Sequence, residues 1–121
     1  MLLARVGLAD MAPNRAGALS FGQQRLLEIT RAVAARPLML LLDEPAAGLS
    51  GEETVRVAGV IREISSTGIG VLLVEHNVRM VFDLADEVMV MDQGRKIAQG
   101  APKEIEQNPT VVAAYLGVEI A

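Results

Sequence analysis

Two short apolar runs constrain the fold of this chain more than any other feature. They occupy residues 38–42 and 71–74, and Pro37 and Pro45 bound the first of them. Between the runs, residues 52–66 carry apolar side chains at helical spacing. A strand, helix, strand order at these lengths requires a right-handed crossover and makes the two strands parallel. An apolar run without polar alternation also predicts a strand that is buried on both faces. We therefore expect an α/β fold with a mostly parallel sheet and helices on its faces.

The remaining elements follow from helix caps and helix breakers. Ser20 is a good N-cap for a helix over 21–35 that ends before Pro37, and Asn77 caps a short helix that continues to about residue 84. The other predicted elements are the end of a helix at 1–9, a loop at 9–17, a third strand at 87–92, a hairpin turn at 92–94 into a strand at 95–99, and short helices that start at Pro102 and at Asn108–Pro109. The side chains expected in the core include Val55, Val57, Val60, Ile61, Ile64, Met80, Met89 and Met91.

Composition excludes several classes of protein. The 121 residues suit one domain or part of one, and 51% of them are hydrophobic, which is enough for a core. The net charge of -4 argues against a nucleic-acid surface, where a basic stripe is expected. No cysteine is present, so the chain has neither disulfides nor a thiolate metal site. No apolar run reaches the ~18 residues of a membrane span, and Met1–Arg5 lacks the layout of a signal peptide. We expect a soluble protein with at most a peripheral membrane role.

Ionisable residues follow both apolar runs. Asp43 and Glu44 come directly after the first run, and His76, the only histidine, lies two residues after the second. In parallel sheets chemistry collects at the carboxyl ends of the strands, so these three side chains should lie at one edge. Two adjacent carboxylates at the end of a buried strand are unfavourable unless they bind something. The alternative is that they only solvate the strand end or cap amides, and that His76 is a surface residue.

The N-terminus of helix 21–35 is a second candidate site. Unpaired amides and partial positive charge at a helix N-terminus attract phosphate oxygens. Gly22 in the first turn would let a ligand approach the backbone, and the Ser20 hydroxyl can bond either an amide or a phosphate. The alternative is a capped amphipathic helix that contains an unfavourable glycine.

In their order along the chain, these segments resemble the ATPase subunit of ABC transporters. The first resembles the signature L-S-G-G-Q with one departure, and the second resembles a Walker B motif followed by a D-loop whose usual final aspartate is replaced by serine. The matching residues are Leu19, Ser20, Phe21, Gly22 and Gln23 for the signature, Asp43 and Glu44 for Walker B, Ala47, Gly48, Leu49 and Ser50 for the D-loop, and His76 for the switch histidine. Phe21 is the departure, in place of the first signature glycine.

The resemblance implies ATP and Mg²⁺ as cofactors and suggests a role for each residue. Asp43 would support Mg²⁺ through a water, Glu44 would orient or deprotonate the water that attacks the γ-phosphate, and His76 would contact that phosphate. The signature would close on ATP held by a second ATPase subunit, in a homo- or heterodimer that sandwiches two ATP molecules. Transmembrane permease subunits would hold this dimer at the cytoplasmic face of the inner membrane. No nucleic-acid partner is implied.

Three segments resemble one group within the family, the importers of branched-chain amino acids. They are residues 20–25, residues 43–49 and the closing residues 108–117. Membrane and binding-protein subunits choose the substrate, so the ATPase sequence alone leaves it open. Lipopolysaccharide-exporting ATPases have a similar carboxyl end and are the alternative.

One motif of the family is absent. The pattern G-x-x-x-x-G-K-S/T occurs nowhere in the chain, whose only lysines are Lys96 and Lys103. The chain therefore resembles the C-terminal half of a P-loop NTPase with three-layer α/β/α architecture, incomplete because the Walker A half is absent. The resemblance makes residues 1–17 the end of a helical subdomain and a linker, 18–100 the catalytic core, and 101–121 the C-terminal helices of one ATPase domain. The family's P-loop strand lies between 70–74 and 87–92, so a gap is expected there.

Such a fragment is expected to be inactive alone, and two other functions have to be weighed. A non-catalytic interaction module descended from these ATPases is one, and the intact Glu44 and His76 argue against it. A DNA-repair or structural-maintenance ATPase is the other, and it should show coiled-coil heptads or basic patches that this sequence lacks.

Overall fold

The computed structural model of the protein describes residues 2–116, and the chain divides after Met80 into two compact units. The helices are α1 (Leu2–Arg5), α2 (Phe21–Ala34), α3 (Gly51–Ser66), α4 (Val78–Leu84), α5 (Pro102–Glu106) and α6 (Pro109–Val111). The strands are β1 (Met39–Asp43), β2 (Gly70–Val74), β3 (Val88–Asp92) and β4 (Arg95–Gly100). Short 3₁₀ turns occupy Ala9–Met11 and Ala16–Ala18, where a loop was expected, and a π-helical turn at Val112–Leu116 follows α6. Gly117, the end of the closing segment that resembles the importers, lies outside the described residues.

In the first unit, β1 and β2 are parallel neighbours joined through α3, as the strand, helix, strand order predicts. Their register pairs Met39 with Gly70 and Asp43 with Val74, so the two strands end together. α2 and α3 pack on each other, and α3 packs on β2. This confirms a parallel α/β arrangement.

One face of the β1–β2 sheet is covered and the other is exposed. Leu40 is 4% exposed, whereas the next residue, Leu41, is 68% exposed. Cross-strand partners point to the same face, and the exposed side chains Met39, Leu41, Leu72 and Val74 form one apolar surface, here named the open face. The prediction that β1 is buried on both faces is wrong for this structure, because no part of the chain between residues 2 and 116 covers the open face.

α2 and α3 present an apolar stripe to each other. Leu26 and Ile29 of α2 are buried, as are Val57 and Ile61 of α3. Val55 was expected among them but is 73% exposed. It lies two positions before Val57, about 200° around the helix, so it belongs to the opposite side.

The second unit contains a β-hairpin and short helices. β3 and β4 are antiparallel, and the turn between them places Gln93 at φ 47 and Gly94 at φ 78. Positive φ at both central residues is typical of a type I′ hairpin turn, which confirms the predicted turn. Val88, Ile105 and Val111 form the small core of this unit.

The opposite face of the hairpin departs from expectation. Met89 and Met91 are exposed, although Met80, on α4, is buried as predicted. Met89 and Met91 alternate along β3 with Val88 and Val90, which face the small core, so the two methionines point the other way. The hydroxyl of Tyr115 donates a hydrogen bond to the carbonyl of Met91.

The described strands form two separate two-stranded sheets rather than one mostly parallel sheet. β2 pairs with β1 alone and β3 pairs with β4 alone. The absence of pairing between β2 and β3 falls where the family's P-loop strand is expected. Among the helices described within residues 2–116, none is long and apolar enough to cross a membrane.

Candidate functional site

The carboxyl edge of the β1–β2 sheet brings Glu44 and His76 together. The Glu44 amide donates to the Val74 carbonyl at 2.7 Å, which joins the ends of the two strands. Glu44 then turns out of β1 with φ 48, in the left-handed region that side-chain-bearing residues rarely adopt. Its Oε1 lies 3.2 Å from Nδ1 of His76. The pair is open to solvent, because the side chains are 45% and 70% exposed respectively.

Asp43 lies at the same edge and is exposed. Within residues 2–116, no group of three or more acidic or histidine side chains is placed to hold a metal ion. A single carboxylate does not make an all-protein metal cage, but it suits Mg²⁺, which keeps several waters and binds phosphate oxygens. The donor set therefore fits a magnesium ion that arrives with a phosphate ligand.

Glu75 takes a position that sequence reasoning did not predict. Glu75 Oε2 accepts a hydrogen bond from the Ala46 amide at 3.1 Å, and Oε1 accepts from the amides of His76 at 3.1 Å and Asn77 at 3.4 Å. The carboxylate therefore joins the loop that follows Glu44 to the loop that contains His76.

The signature turn, residues 19–23, starts α2 with a complete capping box. The Ser20 Oγ accepts from the Gln23 amide at 3.2 Å, and the Gln23 Oε1 accepts from the Ser20 amide at 3.0 Å. Gln24 donates to the Leu19 carbonyl at 3.2 Å. Phe21 is 76% exposed, so this turn presents an aromatic ring to the outside.

Gly22 is buried, and a side chain of α3 lies directly beside it. A β-carbon added at Gly22 would lie 2.9 Å from Cδ and 3.1 Å from Cγ of Glu53, and nearer still to Oε2. The side of the glycine on which a side chain would lie is therefore filled by Glu53 of α3. Glu53 Oε2 is itself buried and has no hydrogen-bond partner among the described residues.

The segment that matches the D-loop leads from Glu44 into α3. The Ala47 amide donates to the Glu44 carbonyl at 3.1 Å, and Gly48 has φ 75. The Ser50 Oγ caps α3 by accepting from the Glu53 amide at 3.2 Å. Ser50 followed by Glu53 is a capping-box pattern, which predicts that the Glu53 carboxylate turns back to its own cap. The structure directs it to Gly22 instead.

Two family models match separate parts of the chain. One is described as an ABC transporter and matches residues 1–47. The other is described as a branched-chain amino acid ATP-binding cassette transporter and matches residues 95–121.

Curated relatives align with nearly the whole chain. The high-affinity branched-chain amino acid transport ATP-binding protein BraF of Pseudomonas aeruginosa is 44% identical over 95% of this chain and 46% of its own length. LivG of Escherichia coli K12, with the same description, is 41% identical at the same coverage. The lipopolysaccharide export system ATP-binding protein LptB of Acidithiobacillus ferridurans is 35% identical over 96% of this chain and 48% of its own length. The chain therefore spans about half the length of the curated relatives it matches.

Solved structures share the fold. The ADP conformation of MJ1267, an ATP-binding cassette of an ABC transporter, superposes with a TM-score of 0.86 at 33% identity, over 96% of this chain and 47% of that one. The cbiO1 protein of Clostridium perfringens, part of the ABC transporter complex cbiONQ, superposes with a TM-score of 0.81 at 32% identity, over 93% of this chain and 45% of that one. Motifs, relatives and structures agree, and the chain belongs to the ABC transporter ATPase family.

Proposed function

We propose that this chain is the signature-bearing half of an ATPase subunit, and that the full-length protein hydrolyses Mg-ATP to power an ABC transporter. The pairing of Glu44 with His76 at 3.2 Å, at the carboxyl edge of β1 and β2, is the observation that carries the proposal. Ligands bind at this edge of parallel sheets. The roles proposed for the two side chains follow from membership of the ATPase family.

Glu44 is proposed to orient or deprotonate the attacking water. A general base must lie within hydrogen-bond reach of the proton it takes, and the exposed position of the Glu44 carboxylate leaves room for a water beside it. His76 is proposed to contact the γ-phosphate. A neutral imidazole that donates from Nδ1 to Glu44 has no proton on Nε2, so in this arrangement His76 donates to phosphate from Nε2 only when it is protonated.

Asp43 is proposed to hold Mg²⁺ through a water molecule. The ion, when bound, neutralises charge on the phosphates. The exposed Asp43 carboxylate, in register with the end of β2, would orient that water.

The signature turn is proposed to act on ATP held by a second subunit. Ser20 and Phe21 lie on the surface, at the N-terminus of a helix of 14 residues whose amides carry partial positive charge. In the family this turn closes on the nucleotide of the partner, so a dimer of two ATPase subunits is required. Permease subunits are proposed to hold that dimer at the cytoplasmic face of the membrane.

The open face supports the proposal that another part of the same ATPase packs on the first unit. Its four apolar side chains are too exposed for a finished core, and the relatives are about twice as long as this chain. A nucleotide-binding half that carries a P-loop would cover this face and add the missing phosphate contacts.

Import of branched-chain amino acids is the proposed transport reaction. BraF and LivG support it, together with the family model that matches residues 95–121. Lipopolysaccharide export is the second candidate, because LptB is 35% identical over the same stretch.

The test uses the full-length protein, purified with and without Glu44→Gln. We expect Mg²⁺-dependent ATP hydrolysis that Glu44→Gln reduces by ~10²-fold or more while ATP binding persists. Residues 1–121 alone should neither bind ATP at micromolar concentration nor hydrolyse it. A full-length protein whose hydrolysis matches that of its Glu44→Gln variant would refute the proposal, and transport assays with branched-chain amino acids would separate the two substrates.

A further inference from the structure

The Glu75 carboxylate is a bridge between two loops that are distant in sequence. It is half-buried and uses both oxygens, one toward Ala46 and the other toward His76 and Asn77. The bond to Ala46 spans 29 positions of the chain. Three backbone amides therefore converge on one negative charge.

A purely local role for Glu75, as the cap of α4, does not account for these bonds. The cap is already supplied by Asn77, whose Oδ1 accepts from the Met80 amide at 3.1 Å. The bond to Ala46 does nothing for α4, since Ala46 belongs to the loop that follows β1. The carboxylate therefore holds the two loops next to each other.

The position of one loop relative to the other determines where Glu44 and His76 lie. Ala46 is two residues after Glu44, and His76 is held by its own amide on the same carboxylate. Exposed ion pairs hold their geometry weakly, and the Glu44–His76 pair is exposed. Charge-assisted hydrogen bonds from backbone amides are stronger and more directional. The backbone, not the pair itself, must maintain the 3.2 Å separation.

We propose that Glu75 is a positioning residue for the hydrolytic pair, and that it ties the switch loop at His76 to the D-loop segment that begins at Ala46. This inference rests on the proposed function, because it assigns Glu75 to the same reaction. Glu75 does not touch the reacting atoms. It acts through the backbones of Ala46 and His76.

The chemistry of the side chain supplies the variants. Glu75→Gln keeps the shape but has one acceptor oxygen, so its NH₂ group must face one of the amides that the carboxylate now accepts. Glu75→Asp keeps two acceptors on a shorter stem and should recover part of the function. Glu106→Gln on α5 is the matched control, since it removes one exposed carboxylate of the other unit.

Two measurements test the proposal. In residues 1–121, Glu75→Gln should speed amide hydrogen exchange at Ala46 or His76 by about tenfold, the effect of one lost hydrogen bond. In the full-length ATPase it should lower kcat by up to ~10²-fold through misplacement of the pair. The KM for ATP should stay within about twofold, because uniform binding is not altered. Glu106→Gln should change none of these.

The outcomes separate this inference from the function it rests on. Unchanged exchange at both amides in Glu75→Gln would overturn the bridge, and faster exchange with parental kcat would overturn the positioning role. A fall in kcat that Glu75→Asp restores in part would support it, because a merely structural loss would lower the folded fraction for both variants alike. If the parental full-length protein hydrolyses no ATP, the proposed function fails and the positioning role fails with it, whereas the exchange measurement still decides whether Glu75 joins the loops.

Discussion

Gly22→Ala measures whether the contact between the signature turn and α3 is as close as the structure has it. In an ordinary helix this substitution stabilises the folded state by about 0.5–1 kcal/mol, because glycine is a poor helix former. At Gly22 the new methyl would lie 2.9 Å from Cδ and 3.1 Å from Cγ of Glu53. The atoms in the way are the end of the flexible Glu53 side chain, which can turn aside, so the cost should lie near the low end of the roughly 1–3 kcal/mol for an overfilled site. The two effects together predict that Gly22→Ala loses the ordinary gain and leaves the stability unchanged to within about 0.5 kcal/mol.

The assay is urea unfolding of residues 1–121 as a double-mutant cycle with Glu53→Ala. Truncating Glu53 removes the obstacle, so Gly22→Ala should stabilise the Glu53→Ala variant by about 0.5–1 kcal/mol. The coupling between the two sites should then be about 1 kcal/mol, within the range for residues in contact. Midpoints are comparable only if the m-value is unchanged.

Gly59→Ala is the control for this cycle. Gly59 also lies in a helix, α3, but nothing lies within 4 Å of an added β-carbon. It should therefore show the ordinary gain of about 0.5–1 kcal/mol whether or not Glu53 is present. If Gly22→Ala behaves like Gly59→Ala in both backgrounds, the close contact with Glu53 is wrong, and the reason for a glycine at position 22 must be sought on the outward side of the helix.

Three further predictions concern the open face and the second unit. Leu41→Lys should change the stability of residues 1–121 by no more than ~0.5 kcal/mol, since the side chain is exposed, and should reduce binding of a hydrophobic dye. In the proposed full-length protein the same substitution should prevent soluble folding. A full-length variant with parental solubility would show that the open face stays uncovered. Tyr115→Phe should destabilise the second unit by about 0.5–1.5 kcal/mol through loss of the hydrogen bond to Met91, measured by exchange protection of the β3–β4 amides, whose unchanged protection would argue against that bond. Asn108→Ala removes the side chain that accepts from the amides of Thr110 at 2.9 Å and Val111 at 3.4 Å, and should lower stability by about 1 kcal/mol, a loss that Asn108→Ser should partly avoid.

The sequence predicts elements well where local chemistry determines them. Ser20 and Asn77 are caps in the structure, and β1 and β2 are parallel neighbours, as the strand, helix, strand order predicts. The proximity of Glu44 and His76 follows from that register. Their roles in hydrolysis remain predictions.

The contacts of Glu53 and Glu75 could not be predicted in the same way. Spacing along the chain gives the face of a helix or strand but not the direction of a long side chain, and Ser50 with Glu53 even favours the wrong direction. The prediction that β1 is buried on both faces is wrong for another reason. An apolar run predicts that both faces of a strand are covered, and it does not say which segment covers them.

The left-handed backbone at Glu44 sets stability and chemistry against each other at one position. A side chain in this conformation costs about 1–2 kcal/mol relative to glycine, and φ is 48 at Glu44. Glu44→Gly would therefore relax the turn while it removes the carboxylate proposed to act as the base. Screens that reward only thermal resistance or soluble yield would favour that exchange and return a variant that folds better and lacks the proposed base. An engineer who wants a robust cassette should hold position 44 constant and seek stability at Gly59, where the backbone is already helical.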